Sequence, residues 1–217
     1  MVATAPEGLR RVSAAPARLA LLDIFERLLV AALFGQFVWR FLNSSQSIGV
    51  LTVLLVLGET FPFFYIVLRK PSPTLSRRPS DWLIGMTALG LPLMAVPSPP
   101  HPLVPSVICF WLMLLGTLTA ISAKIVLGRR FGLIAANRGV VRLGPYRFVR
   151  HPMYAGYTLT HIGFLLAMPN LINALLYASA LGAQIVRISR EEQILMRDEA
   201  YVSFAQTVRY RLLPGVF

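Results

Sequence analysis

Long apolar runs alternate along this chain with short polar interruptions, and most of the runs approach the 20 or so residues that a helix needs to cross a lipid bilayer. Six stand out: Leu19 to Leu42, Ile48 to Leu68, Trp82 to Val96, Val104 to Leu127, Met153 to Met168 and Leu171 to Ile188. The pattern predicts an all-α integral membrane protein, a polytopic bundle of five to six transmembrane helices with a C-terminal cytoplasmic helix. The third and fifth runs are short, which points to little tilt, local thinning of the bilayer or a re-entrant segment for one of them. In the first run Asp23, Glu26 and Arg27 fall at i, i+3 and i+4 on one face. Two readings stay open there: a spanning helix, or an interfacial amphipathic helix that dips inward from Leu28.

The placement of charge is an independent test of this layout. The interruptions Asn43 to Ser47, Pro97 to Leu103 and Pro169 to Asn170 carry no Lys, Arg, Asp or Glu. The alternate ones are basic, with Arg69, Lys70, Arg77 and Arg78 in one and Arg129, Arg130, Arg138, Arg142, Arg147 and Arg150 in the other. Arg10, Arg11 and Arg18 in front and Arg187, Arg190, Arg197, Arg209 and Arg211 behind put both termini on the basic side. Lys and Arg accumulate on the cytoplasmic side of membrane proteins, so the alternation predicts an even number of crossings with both ends cytoplasmic. The Pro-rich stretch from Val96 to Pro105 reads as a stiff outer turn.

Composition agrees and removes other classes. Of the 217 residues 56% are hydrophobic and 14% charged, against roughly 25% charged in soluble domains. Lys and Arg number 21 and Asp and Glu 9, a net charge of +12. In a soluble protein that excess would suggest nucleic acid; here topology accounts for it, and no nucleic-acid partner is expected. The runs are too long for the alternating strands of a porin-like barrel. A single cysteine, Cys109, excludes a disulfide framework and reads as a small lipid- or core-facing residue. Asp23, Glu26 and Arg27 interrupt what would be the apolar part of a signal peptide. Residues 1–18 read as a flexible tail, 19–127 as a hydrophobic scaffold and 128–217 as the region where chemistry is concentrated.

Polar residues at membrane depth persist only where something satisfies them, which makes them the default functional candidates. Gly144-Pro145 marks a turn, and His151-Pro152 a helix start, since Pro is tolerated in a first turn. Beyond it Tyr154, Thr158 and His161 share a helical stripe. The stripe reads either as a polar seam bonding a neighbouring helix or as part of a site. On the sixth run Gln184, Arg187 and Glu191 share a face as it leaves the membrane. Glu191-Glu192 then place two carboxylates beside the basic linker. Arg187 with Glu191 is also a plain i, i+4 ion pair. Glu59, near the centre of the second run, is a further buried acid that could line a substrate path. The isolated glycines Gly35, Gly49, Gly58, Gly85 and Gly90 are expected to be packing positions. His101, His151 and His161 lack ligand spacing, and no metal is expected.

The order Gly144-Pro145-Tyr146-Arg147, Arg150-His151-Pro152-Met153-Tyr154 and Gly156, then Glu191-Glu192-Gln193-Ile194-Leu195, Tyr201 and Arg211-Leu212-Leu213-Pro214, resembles the isoprenylcysteine carboxyl methyltransferase family and its phospholipid N-methyltransferase relatives. Arg130-Phe131-Gly132 and Arg138-Gly139 resemble the bacterial branch. The likeness covers residues 128–217, with a shorter interval, Met196 to Ala200, before Tyr201 than the family commonly has. It implies a bacterial inner-membrane methyltransferase that takes S-adenosylmethionine and methylates a lipophilic acceptor drawn sideways from the bilayer. By the same likeness Tyr146, His151, Pro152, Tyr154 and Glu192 would bind the methyl donor, and Arg150, Glu191, Arg209 and Arg211 would shape the reacting end. Residues 128–217 would then be the catalytic region.

Two alternatives differ in class. Sterol and steroid reductases end in a similar helix pair, but typically carry Asn where this chain has Met153; that reading implies NADPH. A non-catalytic scaffold or transporter subunit predicts polar residues spread over all six runs, whereas here they concentrate after Gly128. The residues do not distinguish carboxylate, amine, phenol or thiol as the methyl acceptor, nor fix the oligomeric state.

Overall fold

The computed structural model describes residues 15–44, 49–68, 79–128 and 140–215. The residues before 15, with Arg10 and Arg11, and the basic stretches 69–78 and 129–139 lie outside them. Among the described residues the chain is all-helical, without strands. It has seven α-helices: α1 (Ala15–Leu42), α2 (Val50–Leu68), α3 (Pro79–Gly90), α4 (Ser106–Leu127), α5 (Pro152–Ala167), α6 (Leu171–Leu195) and α7 (Glu199–Thr207). Tight 3-10 turns occupy Pro92–Met94 and Gly144–Arg147.

Two of these helices, α4 and α6, are long and apolar enough to cross a membrane, and α2 holds a shorter apolar stretch, Val50–Phe64. At 1.5 Å per residue the 22 residues of α4 extend about 33 Å and the 25 of α6 about 37 Å. Their polarity is inverted relative to a soluble protein. Helix α4 exposes Val107, Ile108, Trp111, Leu115 and Leu118 while burying Thr117 and Lys124. Helix α6 exposes Leu171, Ile172, Leu175, Ile185 and Val186 while burying Asn173, Gln184, Arg187 and Glu192. Apolar outside and polar inside is the arrangement that hydrocarbon solvent selects, because only the bundle interior satisfies hydrogen bonds.

The third apolar run does not form one helix. Helix α3 ends at Gly90 and the chain tightens into the turn at Pro92, which lacks an N–H and whose ring would clash inside a helix. Twelve residues of α3 extend only about 18 Å. Arg40 at the end of α1 donates to the carbonyls of Leu93 and Met94. The Pro-rich segment that follows is docked on the α5–α6 connection. Asn173 accepts from Val96 N and donates to Val96 O, both at 2.9 Å, Ser98 donates to Met168 O at 3.2 Å, and Leu103 N donates to Leu166 O at 2.8 Å. Asn170 caps α6 by accepting from the backbone N–H groups of Ile172 and Asn173. The charged face of α1 is also paired: Arg27 bonds Asp23 at 2.9 Å and donates to Val67 O at 2.6 Å, tying α1 to the end of α2.

Two apolar cores result. Phe37, Phe41, Leu55, Leu93, Met113 and Phe164 fill the middle of the bundle. Ala123, Met153, Tyr154, Ile188, Tyr201 and Phe204 join α4, α5, α6 and α7 at the end where the chain's termini of α5 and α6 carry their charged groups. Cys109 is core-facing and fully buried.

Helices α4 and α5 approach most closely, through glycines. A Cβ on Gly156 would lie 2.6 Å from both Ala120 N and Gly116 O, and one on Gly116 would lie 2.5 Å from Thr160 Oγ1 and 2.6 Å from Thr160 N. The glycines expected to pack behave differently. Gly58 and Gly90 do meet neighbours, Thr117 Oγ1 and Leu33 Cδ1 at 3.5 Å, but Gly35 and Gly49 have no described atom within 4 Å of an added Cβ. Spacing within one run does not tell which face a glycine presents. Gly156→Ala is therefore expected to destabilise the protein by about 1–3 kcal/mol through overpacking. Gly35→Ala is expected to be neutral or to stabilise by up to about 1 kcal/mol. Thermal unfolding of the two variants in detergent checks the contrast.

Candidate functional site

The site forms where α5 begins and α6 ends. Gly144 adopts a positive φ of 57°, a conformation that costs glycine little. It opens the turn that buries Tyr146. His151 is the N-cap of α5 and Pro152 its first residue, so the missing proline N–H costs no helical bond. The carboxyl-terminal segment then crosses this start: Arg150 N donates to Tyr210 O at 2.9 Å and His151 N to Arg211 O at 2.8 Å. Two backbone hydrogen bonds thus lay residues 210–211 over the helix entrance.

Glu192, near the end of α6, is the common partner. Its Oε1 lies 3.2 Å from His151 Nε2 and 3.0 Å from Arg150 Nε, and accepts from Tyr201 OH at 3.4 Å. Its Oε2 accepts from Arg211 Nε at 2.6 Å. The Arg150 Nε–H is not aimed at that oxygen and has no hydrogen-bond acceptor, so this contact is a close ion pair and not a hydrogen bond. Glu191 serves a second set. Its Oε1 accepts from Tyr154 OH at 3.2 Å and from Arg187 Nε at 3.0 Å, and its Oε2 lies 3.9 Å from His151 Nδ1. His151 therefore stands between the two carboxylates. Its ring lies 5.9 Å from that of Tyr154, and the Arg187 guanidinium lies 5.5 Å from the same tyrosine ring.

Burial sets the strength of these contacts. Both Arg150 and Glu192 are under one-tenth exposed, whereas the Arg211 side chain is 38% exposed. Burial, reinforced by the charge of Glu192, pushes the Tyr201 phenol above its ordinary range. Burial and the charge of Glu191 do the same to Tyr146. Both tyrosines stay protonated at neutral pH, and Tyr201 donates to Glu192.

The structure brings Tyr146, Arg150, His151, Pro152, Tyr154, Glu191, Glu192 and Arg211 to this one end of the bundle. It separates the two terminal arginines: Arg211 holds Glu192, and Arg209 is exposed. Thr158 spends its hydroxyl on Tyr154 O one turn back. His161 lies deeper and bonds Glu59. Lys124 and Tyr177, both buried, were not singled out by sequence pattern; Lys124 had a signal, being the one charged residue between Val104 and Leu127. Among the described residues no cluster of His, Cys, Asp and Glu has the arrangement to hold a metal ion.

Residues 104–201, just under half of the chain, match the family described as phospholipid methyltransferase. The matched span runs from the start of α4 into α7 and contains every residue of the cluster except Arg211. No individual curated protein matches the chain.

If Glu192 is the hub, removing it leaves buried cations without a counter-charge, a loss of about 3–5 kcal/mol. Glu192→Ala should destabilise on that scale. Arg211→Ala, at an exposed partner, should cost no more than about 1 kcal/mol, and Arg209→Ala nothing measurable. Unfolding of the three variants in detergent measures the order.

Proposed function

We propose that this protein is an integral-membrane methyltransferase that takes S-adenosylmethionine and methylates a lipophilic acceptor at the cytoplasmic membrane face. The reading supposes five to six crossings, both termini cytoplasmic and, by resemblance to the bacterial branch of the isoprenylcysteine carboxyl methyltransferases, a bacterial inner membrane. The observation that carries it is the convergence of Arg150, His151 and, from beyond the matched segment, Arg211 on Glu192, where Arg150, His151 and Glu192 lie in the segment similar to phospholipid methyltransferases.

The donor set suits S-adenosylmethionine, which combines a carboxylate, an ammonium, a sulfonium and an aromatic base. Arg150 carries a buried N–H with no acceptor, the kind of donor that a carboxylate satisfies. Glu191 and Glu192 suit an ammonium, and the faces of Tyr146 and Tyr154 suit the base or a cation. When bound, the donor supplies an electrophilic methyl group on a positively charged sulfur. The protein's own work is alignment and exclusion of water. Tyr154 and Arg187 hold Glu191 in place, His151 fixes Glu192, and the segment carrying Arg211 closes over both. A lipophilic acceptor enters laterally, between helices whose outer surfaces are apolar.

S-Adenosylhomocysteine should raise the unfolding temperature of the detergent-purified protein, and NADPH should not. His151→Ala and Glu192→Gln should each weaken S-adenosylhomocysteine binding at least tenfold in isothermal titration. Stabilisation by NADPH alone would replace this reading with a reductase; unchanged affinity in both variants would refute the site.

A further inference from the structure

A second polar cluster lies deeper on the same stripe of α5. Tyr154 and His161 are seven residues, about 10 Å of helix, apart. There His161 Nε2 lies 2.9 Å from Glu59 Oε1 of α2, and the His161 ring stacks on that of Tyr177 of α6 with centroids 4.2 Å apart and planes 7° from parallel. Glu59, His161 and Tyr177 are all at least nine-tenths buried. Lys124 of α4 sits over the ring of Tyr157, between the two clusters, at 4.9 Å, and lies within electrostatic reach of Glu59.

Burying a carboxylate and an imidazole between four helices is costly unless they serve a purpose, and packing alone would be served as well by apolar residues. One polar atom of the cluster is buried and unsatisfied, and a second makes no hydrogen bond among the described residues. The Tyr177 hydroxyl is buried without a hydrogen-bond partner. His161 spends Nε2 on Glu59, and its Nδ1 makes no hydrogen bond among the described residues. A carboxylate on one ring nitrogen fixes the tautomer and leaves the other nitrogen as a proton acceptor. A free phenol beside it is a donor. Together they suit a ligand atom that gives one hydrogen bond and receives another, as a hydroxyl or an amine does and a carboxylate does not.

We infer that Glu59, His161 and Tyr177 receive the reacting end of the acceptor, and that this end is an O–H or N–H group rather than a carboxylate. The inference rests on the methyltransferase reading and narrows its substrate class. His161 is the catalytic base, Tyr177 holds the acceptor atom, and Glu59 is a positioning residue acting through His161. The acceptor's proton passes to His161 Nδ1 as its lone pair takes the methyl group. The carbon–sulfur bond breaks and its electron pair stays on sulfur. The proton leaves to water with product release, and no oxidant or reductant is required. A base contributes about 100-fold or more to such a step, and a carboxylate acceptor would need none.

The test uses full-length protein in nanodiscs made from a total lipid extract of the expression host, supplied with S-adenosylmethionine tritiated on its methyl group. The label should enter an organic-soluble product and alkali should release no tritiated methanol from it, because ethers and methylamines keep their methyl group whereas methyl esters lose it as methanol. His161→Gln and Glu59→Gln, which keep a hydrogen bond between α2 and α5, should lower labelling about 100-fold and about tenfold. S-Adenosylhomocysteine affinity should stay within threefold of the parent in both. Tyr177→Phe should raise the acceptor KM with little change in kcat. Release of tritiated methanol by alkali, full activity of His161→Gln, or loss of S-adenosylhomocysteine affinity in step with activity would overturn the inference; the last outcome would make the pair a structural tie. Failure of the parent protein to bind S-adenosylhomocysteine would instead strike the methyltransferase reading itself.

Discussion

The Glu192 carboxylate is the constraint on which this end of the molecule depends. It is buried, and it is shared by groups from three places in the chain: Arg150 and His151 before α5, Tyr201 on α7 and Arg211 in the carboxyl-terminal segment. A buried carboxylate with one cation would be a weak source of stability, since desolvation offsets most of the attraction. With several partners most of its lone pairs are occupied, and removal of a buried partner leaves charge exposed to a poor solvent. That cooperativity fixes the relative position of α5, α6 and the terminal segment. The backbone bonds from Arg150 and His151 to Tyr210 and Arg211 reinforce the same join.

Close helix contact supplies the second constraint. Gly116 and Gly156 let α4 and α5 meet at backbone distance, as small residues do where no hydrophobic force drives helices together in lipid. Helix α6 does not meet α5 in that way. The space between them is filled by side chains, with Tyr154, Arg187 and Glu191 at one end and His161 with Tyr177 at the other. A rigid α4–α5 pair facing a polar, side-chain-lined seam is a physical basis for placing a site in an otherwise apolar bundle. The segment similar to phospholipid methyltransferases covers this pair and α6.

Much of this was legible in the sequence, and for definite reasons. The helix start at His151-Pro152 follows from local chemistry and occurs as expected. Of the stripe on α5 only Tyr154 meets the acidic pair of α6, while Thr158 bonds its own helix and His161 bonds Glu59. The break at Pro92 was not legible, because hydropathy does not register a missing N–H; Pro92 itself was the signal. A Cβ added at Gly35 or Gly49 would meet no described atom within 4 Å, and isolated glycines carry no information about the facing helix. Arg209 and Arg211 are chemically alike, and only the backbone pairing at residues 210–211 decides which side chain reaches Glu192. The Glu59–His161 contact joins residues 102 positions apart, a pairing that no local spacing encodes.

The central claim is that the Glu192 cluster holds the methyl donor, and direct photolabelling tests it without knowledge of the acceptor. Protein irradiated with tritiated S-adenosylmethionine and digested should carry the label on peptides from residues 144–161 or 184–212, and excess S-adenosylhomocysteine should abolish it. Label confined to peptides of α1, α2 or α3, or label that S-adenosylhomocysteine does not displace, would contradict the account.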